Sequence, residues 1–210
     1  MRASALQVVR LIGVLTCIMM MSWHSANATT SESDAQFAEA VAAVKSRDYS
    51  RAVKLFKQQA EANQHDAQYN LAVLLKAGKG TPQDFLNGLI WSWSAYLGGI
   101  EAAEDLADEL LDLVPENSVE TAREAVATRL QARIADGEKP AVMQFARYHL
   151  EIVEEPDYQQ AYFWYSIAAA IGIDGSMQAR DEAAENLDAE LVIATQEEAR
   201  STFYGLSFGK

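Results

Sequence analysis

Residues 67–99 read AQYNLAVLLKAGKGTPQDFLNGLIWSWSAYLGG. Ala67, Leu71 and Ala72 recur at the three- and four-residue spacing of one helix face. Gly78-Lys79-Gly80 interrupts that helix, and Pro82 and Asp84 mark the start of a second one. The second carries Trp91 one turn before Ala95 and stops at Gly99. A large side chain followed one turn later by a small one lets a neighbouring helix approach closely and then fill the gap. The stretch therefore predicts a helix hairpin with a buried tryptophan.

A shift of 73 residues lays this hairpin on a second copy, residues 141–172, AVMQFARYHLEIVEEPDYQQAYFWYSIAAAIG. Asp84 falls on Asp157, Phe85 on Tyr158, Trp91 on Trp164, Ala95 on Ala168 and Gly99 on Gly172. One gap upstream puts Ala67 on Ala141, Leu71 on Phe145 and Ala72 on Ala146. Each match has a mechanical reason. Asp84 and Asp157 suit the cap that accepts from free N–H groups at a helix start. Gln160, three residues after Asp157, fits a capping box better than Asn87 does after Asp84. Gly99 and Gly172 suit the left-handed residue that closes a helix. Trp164, like Trp91, is expected in the core.

From residue 29 onward no segment alternates apolar and polar positions for long. Helix pairs are predicted to begin near Ala35, Asp66, Glu101, Pro140 and Gly175, in steps of 31, 35, 39 and 35 residues. A two-helix unit with a period in the thirties is the signature of a solenoid. The reading is all-α: an α-solenoid of about five antiparallel helix pairs, with the two matching copies as pairs two and four.

These residues resemble the Sel1-like repeat, a relative of the tetratricopeptide repeat. Ala67, Leu71, Gly78, Gly80, Asp84, Trp91, Ala95 and Gly99 carry the resemblance, while Ala72 and Leu75 replace the usual glycine and aromatic. Residues 67–102 and 141–175 are the best repeats. The second keeps Ala141, Asp157, Ala161, Trp164, Ala168, Ala169 and Gly172 but has Val153-Glu154-Glu155 at the glycine turn. Tyr49, Ala52 and Phe56 resemble the family's opening half-repeat. The resemblance implies a curved stack of hairpins used as a protein-binding scaffold. Pairs three and five barely match it.

The chain has 210 residues, 17 of them basic and 30 acidic, for a formal charge of −13. Nucleic acid and anionic lipid are poor partners for it, because both need clustered Lys and Arg. Residues 1–28 read as an export signal: Arg2 and Arg10, an apolar run, and Ala26-Asn27-Ala28 as the cleavage site. Cleavage after Ala28 leaves 29–210 as the helical repeat domain, periplasmic or secreted, with no stable membrane insertion. Loss of Arg2 and Arg10 takes the charge to about −15. Cys17, the one cysteine, leaves with the leader, so the exported chain has no disulfide and no thiol chemistry.

Little in the remainder points to catalysis. His65 lies in a turn and reads as solvated, and His149 falls where the repeat puts a core aromatic, as a satisfied and partly buried histidine. No second histidine stands at helical spacing from it for zinc, and Glu151, Glu154, Glu155 and Asp157 are not spaced as a calcium loop. Glu101, Glu104, Asp105, Asp108, Glu109 and Asp112 form the wet face of an amphipathic helix. Gly78-Lys79-Gly80-Thr81 lacks the full phosphate-loop pattern and follows a helix. No catalytic residue, metal or cofactor is expected.

In a solenoid the first helices of successive pairs line the concave face. Counted from the tetratricopeptide pattern, Tyr69, Val73 and Lys76 face it from pair two, and Met143, Arg147 and Leu150 from pair four. An aromatic, apolar residues and an arginine suit an interface core. The expected function is a scaffold that binds a protein or peptide of the cell envelope, regulating an enzyme or a sensor there. Tyr69→Ala with Arg147→Glu is expected to weaken capture without unfolding. The competing reading is an envelope hydrolase acting on a peptidoglycan-like polymer through two carboxylates that share a pocket.

Overall fold

A computed structural model describes residues 32–209; the leader and its cleavage site lie outside the described residues. Among the described residues the regular elements are all helices. They are α1 (32–45), α2 (Tyr49–Glu61), α3 (His65–Ala77), α4 (Phe85–Leu97), α5 (Ala102–Leu111), α6 (Glu116–Ala135), α7 (Lys139–Glu151), α8 (Tyr158–Ala170), α9 (Ser176–Ala184) and α10 (Ala189–Gly205). A short 3-10 turn, Ser207–Gly209, follows. The last four pairs begin within one residue of their expected positions. The all-α solenoid reading holds.

The helix starts are made by the expected aspartates. Asp84 accepts from the Asn87 backbone N–H (3.1 Å), and Asp157 accepts from that of Gln160 (3.0 Å). Asp48 and Asp188 cap α2 and α10 in the same way. The capping-box expectation is reversed: the Asn87 side chain donates to Asp84 Oδ2 (2.7 Å), whereas Gln160 contributes only its backbone. Asparagine is short enough to fold back on the cap it follows.

Gly80 is required by a close approach. It has φ +84°, and a Cβ there would sit 2.3 Å from the Tyr49 carbonyl oxygen. The turn between α3 and α4 is thereby laid directly on the start of α2, where Ser50 Oγ donates to the Gly80 carbonyl (3.3 Å).

One main core runs through the stack, with Phe56, Leu71, Leu89, Leu110, Val126, Val142 and Ile167 fully enclosed. A smaller core under α7, α8 and α9 gathers Ala146, Ala161, Tyr162, Tyr165 and Ala183. Ala95 and Ala168 are fully buried, as the large–small pairing requires. Trp91 is 9% exposed and lies under the Arg129 guanidinium, 4.5 Å from its ring. Trp164 is only half-buried, against Phe145 and Phe163 at 5.0 Å each, and it touches both cores.

The hairpins are not alike. α3 packs closely on α4, and α7 on α8. By contrast α6 packs on α4 and α7 rather than on α5, and α10 packs on α8 rather than on α9. The long α6 buries Val119, Ala122, Val126, Leu130 and Ile134 along one stripe. Its arginines tie distant parts of the chain together. Arg129 Nη2 donates to the Ala60 carbonyl and to Asn63 Oδ1 (3.4 Å each). Arg133 donates to Glu138 Oε2 (2.8 Å) and Gln144 Oε1 (2.6 Å). Pairs three and five, the weakest matches to the repeat, are thus the pairs whose two helices barely touch.

Candidate partner-binding surface

The six residues assigned to the concave face divide into separate places. On α3, Tyr69 is half-buried against the main core and Val73 is 38% exposed. Lys76 forms an ion pair with Glu109 of α5. On α7, Leu150 packs into the smaller core. Met143 and Arg147 alone among the six line a common cavity, about 380 Å³, between the end of α4 and the start of α7. Its other walls are Leu97, Gly98, Gly99, Lys139, Pro140, Gln144 and Ile173.

Arg147 is largely committed to holding α4 against α7. Its Nε and Nη2 donate to the two Glu151 carboxylate oxygens (2.9 and 2.7 Å), a two-pronged charge-assisted pair. Its Nη1 donates to the carbonyls of Leu97 (3.2 Å) and Tyr96 (3.4 Å), and its head lies 5.1 Å from the centre of the Tyr96 ring. A cation on the last carbonyls of a helix also meets the negative end of its dipole. Burial works against the Arg147 charge, but the Glu151 hydrogen bonds and charge outweigh it and raise its pKa. Nearby, burial and then the Glu151 charge push the Tyr165 phenol up to about 12, so it stays protonated. Charge reversal at Arg147 would strip the end of α4 as well as alter the cavity, so Met143 is the cleaner position to change.

His65 is not solvated. It is half-buried, with Nδ1 2.9 Å from Gln68 Oε1 and Nε2 3.2 Å from Gln144 Nε2. Arg133 donates to Gln144 Oε1, which turns the Gln144 amide nitrogen toward His65 Nε2, while Gln68 Oε1 faces Nδ1. The start of α7 folds back over the start of α3, a contact between residues 79 apart in sequence.

His149 is half-buried as expected, packed 4.8 Å from Phe145 and 5.3 Å from Tyr148, but its buried Nε2 has no partner among the described residues. Burial pushes its pKa below 6.5, against a smaller upward pull from Asp157. The folded state therefore binds fewer protons than the unfolded state as pH falls past 6.5, and stability drops through that window. Below the depressed pKa both states are protonated and the loss levels off. His149→Phe is expected to raise stability by about 1 kcal/mol at neutral pH by removing the orphaned nitrogen. It also removes this part of the pH slope. Urea unfolding of both proteins between pH 7.5 and about 5 measures the two effects.

The α5 acids lie on the open side. Glu104 and Asp108, together with Glu151, border a hollow of about 320 Å³ that also holds Arg123. Glu104 and Asp108 themselves are exposed, and Tyr96 Oη donates to Glu104 Oε1 (3.4 Å). Among the described residues no three His, Cys, Asp or Glu side chains are grouped to hold a metal ion. Nor is any described helix long and apolar enough to cross a membrane.

The stacked hairpins and the cavity they frame define a helical-repeat protein of the solenoid class. A model of the Sel1 repeat matches residues 44–64, 65–98 and 143–173. Such repeats are generally protein–protein interaction modules. The unmatched residues 99–142 hold α5 and α6, and those after 173 hold α9 and α10, the helices with the irregular packing. No curated protein matches the chain. A solved structure is similar: c5321, a protective antigen present in uropathogenic Escherichia coli strains, which displays an SLR fold. Identity is 19%, the TM-score is 0.33, and the match covers 88% of this chain and 32% of that one. The chain spans about a third of that protein's length.

Proposed function

We propose that the protein is an exported scaffold that seats a protein or peptide partner in the cavity between α4 and α7. The observation that carries this reading is the make-up of that cavity. Leu97, Pro140, Met143 and Ile173 give an apolar floor, and Lys139 and Arg147 stand at its sides. An apolar centre with a polar margin is the anatomy of a binding hot spot. In a chain of net charge −13, the Lys139 ammonium at the opening, with Arg147 already paired to Glu151, favours a partner segment with an apolar anchor beside an acidic residue. Tyr69 and Val73 of α3 lie outside this cavity and would form a separate contact. The cell-envelope setting, and a role in regulating an enzyme or sensor there, rest on the leader read from residues 1–28.

Met143→Glu tests this reading. The side chain is partly exposed, so the variant is expected to fold, and a carboxylate on the cavity floor should weaken partner capture about tenfold or more. Tyr69→Ala should cost less. Quantitative pulldown from envelope extract, with circular dichroism as the folding control, gives the answer. Undiminished capture by folded Met143→Glu would overturn the assignment of the cavity.

A further inference from the structure

A cavity of about 590 Å³ lies at the other end of the fold, between α8, α9 and α10. It shares no residue with the α4–α7 site. Its volume is in the range that holds a small organic ligand. The lining mixes apolar and polar groups. Ile167, Ala170, Ala199 and Phe203 give an apolar wall, and the aromatic ring of Tyr204 stands exposed at the cavity's margin. Tyr162, Gln196, Arg180 and Arg200 supply the polar part of the lining.

The polar wall has donor capacity to spare. Tyr162 is 4% exposed, and its Oη accepts from the Nε2 of exposed Gln196 (2.8 Å), which leaves the hydroxyl proton free to donate into the cavity. Arg180 is balanced by Asp181, to whose Oδ1 its Nε and Nη2 both donate (2.8 and 2.6 Å). Arg200 forms no ion pair among the described residues. Two guanidinium groups and one carboxylate leave the wall with a single net positive charge. A monoanion balances that charge, whereas a phosphate dianion would leave a negative charge in the cavity.

We infer that this cavity binds a carboxylate carried on an apolar or aromatic body, with Arg200 and the Tyr162 hydroxyl donating to the carboxylate and Ile167 and Phe203 packing the body. Two sources offer this chemistry: a small organic acid and the C-terminal residue of a peptide. Both are tested on the purified protein by NMR. The probes are 3-phenylpropanoate and the peptide Ala-Ala-Phe with a free C-terminus, and each is paired with its amide.

The carboxylate probes are expected to shift the Gln196 side-chain amide and the Arg200 Nε–H signals. Their amides should bind roughly tenfold more weakly, because the charge-assisted hydrogen bonds are lost. Arg200→Gln and Tyr162→Phe should each weaken carboxylate binding by about the same factor while leaving the thermal midpoint unchanged. Arg200 is exposed, and the tyrosine variant loses only its hydroxyl. Binding by the free acid alone assigns the site to small metabolites, and tighter binding by the peptide assigns it to chain ends; both support the inference. Absence of shifts at saturating probe, equal binding of acids and amides, or full binding by Arg200→Gln overturns it.

Discussion

Replacing Gly80 by alanine is expected to destabilise the protein by about 3 kcal/mol. Two effects combine. The residue sits at φ +84°, where an L side chain is strained. The added Cβ would also lie 2.3 Å from the carbonyl oxygen, 2.4 Å from the carbonyl carbon of Tyr49 and 2.8 Å from the Ser50 nitrogen. These are backbone atoms of the first turn of α2, so no rotamer change relieves the clash. Either the α3–α4 turn lifts away or α2 shifts, and both carry core residues with them. Gly172 is the control. It has φ +77°, but a Cβ there meets nothing within 4 Å. Gly172→Ala should therefore cost only the backbone strain, about 1 kcal/mol. Urea unfolding of the two variants separates strain from contact, and equal losses would contradict the laid-down turn.

The second large effect is at Phe56. Its side chain is fully buried and meets Phe37 of α1 edge-on, with ring centres 5.7 Å apart at 61°. Phe56→Ala removes a large aromatic from a closed site and should cost about 4 kcal/mol. Tyr204, 66% exposed, should tolerate alanine within about 0.5 kcal/mol. Phe56 joins the α1–α2 hairpin to the main core, so the loss also tests whether the first hairpin is an integral part of the stack. A small effect would mean that α1 and α2 are a loosely attached end.

Both residues could be read from sequence, for the same reason. Phe56 and Gly80 stand at repeat positions whose demands are local: a core-facing side chain on a helix, and a turn only glycine can make. The hairpin starts, the aspartate caps and the buried Ala95 and Ala168 were legible on those terms. The angle between successive hairpins was not, since it depends on how one pair seats on the next. In this chain α6 leaves α5 and packs on α4 and α7, and no local pattern in residues 116–135 says so.

That rearrangement also separates the six candidate residues. Helical spacing groups Met143, Arg147 and Leu150 on one face of α7, and of these Met143 and Arg147 line one cavity. It could not reveal that Arg147 would cap α4, or that Leu97, Lys139 and Ile173 would complete the cavity around Met143. Nor could it place His65 beside Gln144, because that meeting needs the start of α7 to reach the start of α3. The adjacent Gly98-Gly99 and Lys139-Pro140 were the available hints. Both mark chain turns, and both now border the cavity. A Cβ at Gly98 would lie within 2.5 Å of the His65 ring, so that glycine keeps the two elements in contact.

The central claim is that a partner sits between α4 and α7. Photo-crosslinking in living cells tests it most directly, with a benzophenone side chain placed at Met143 in one strain and at exposed Ile193 of α10 in another. A discrete adduct is expected from Met143, carrying one partner identified by mass spectrometry, and none of that partner from Ile193. The same adduct from both positions, or from Ile193 alone, would contradict it.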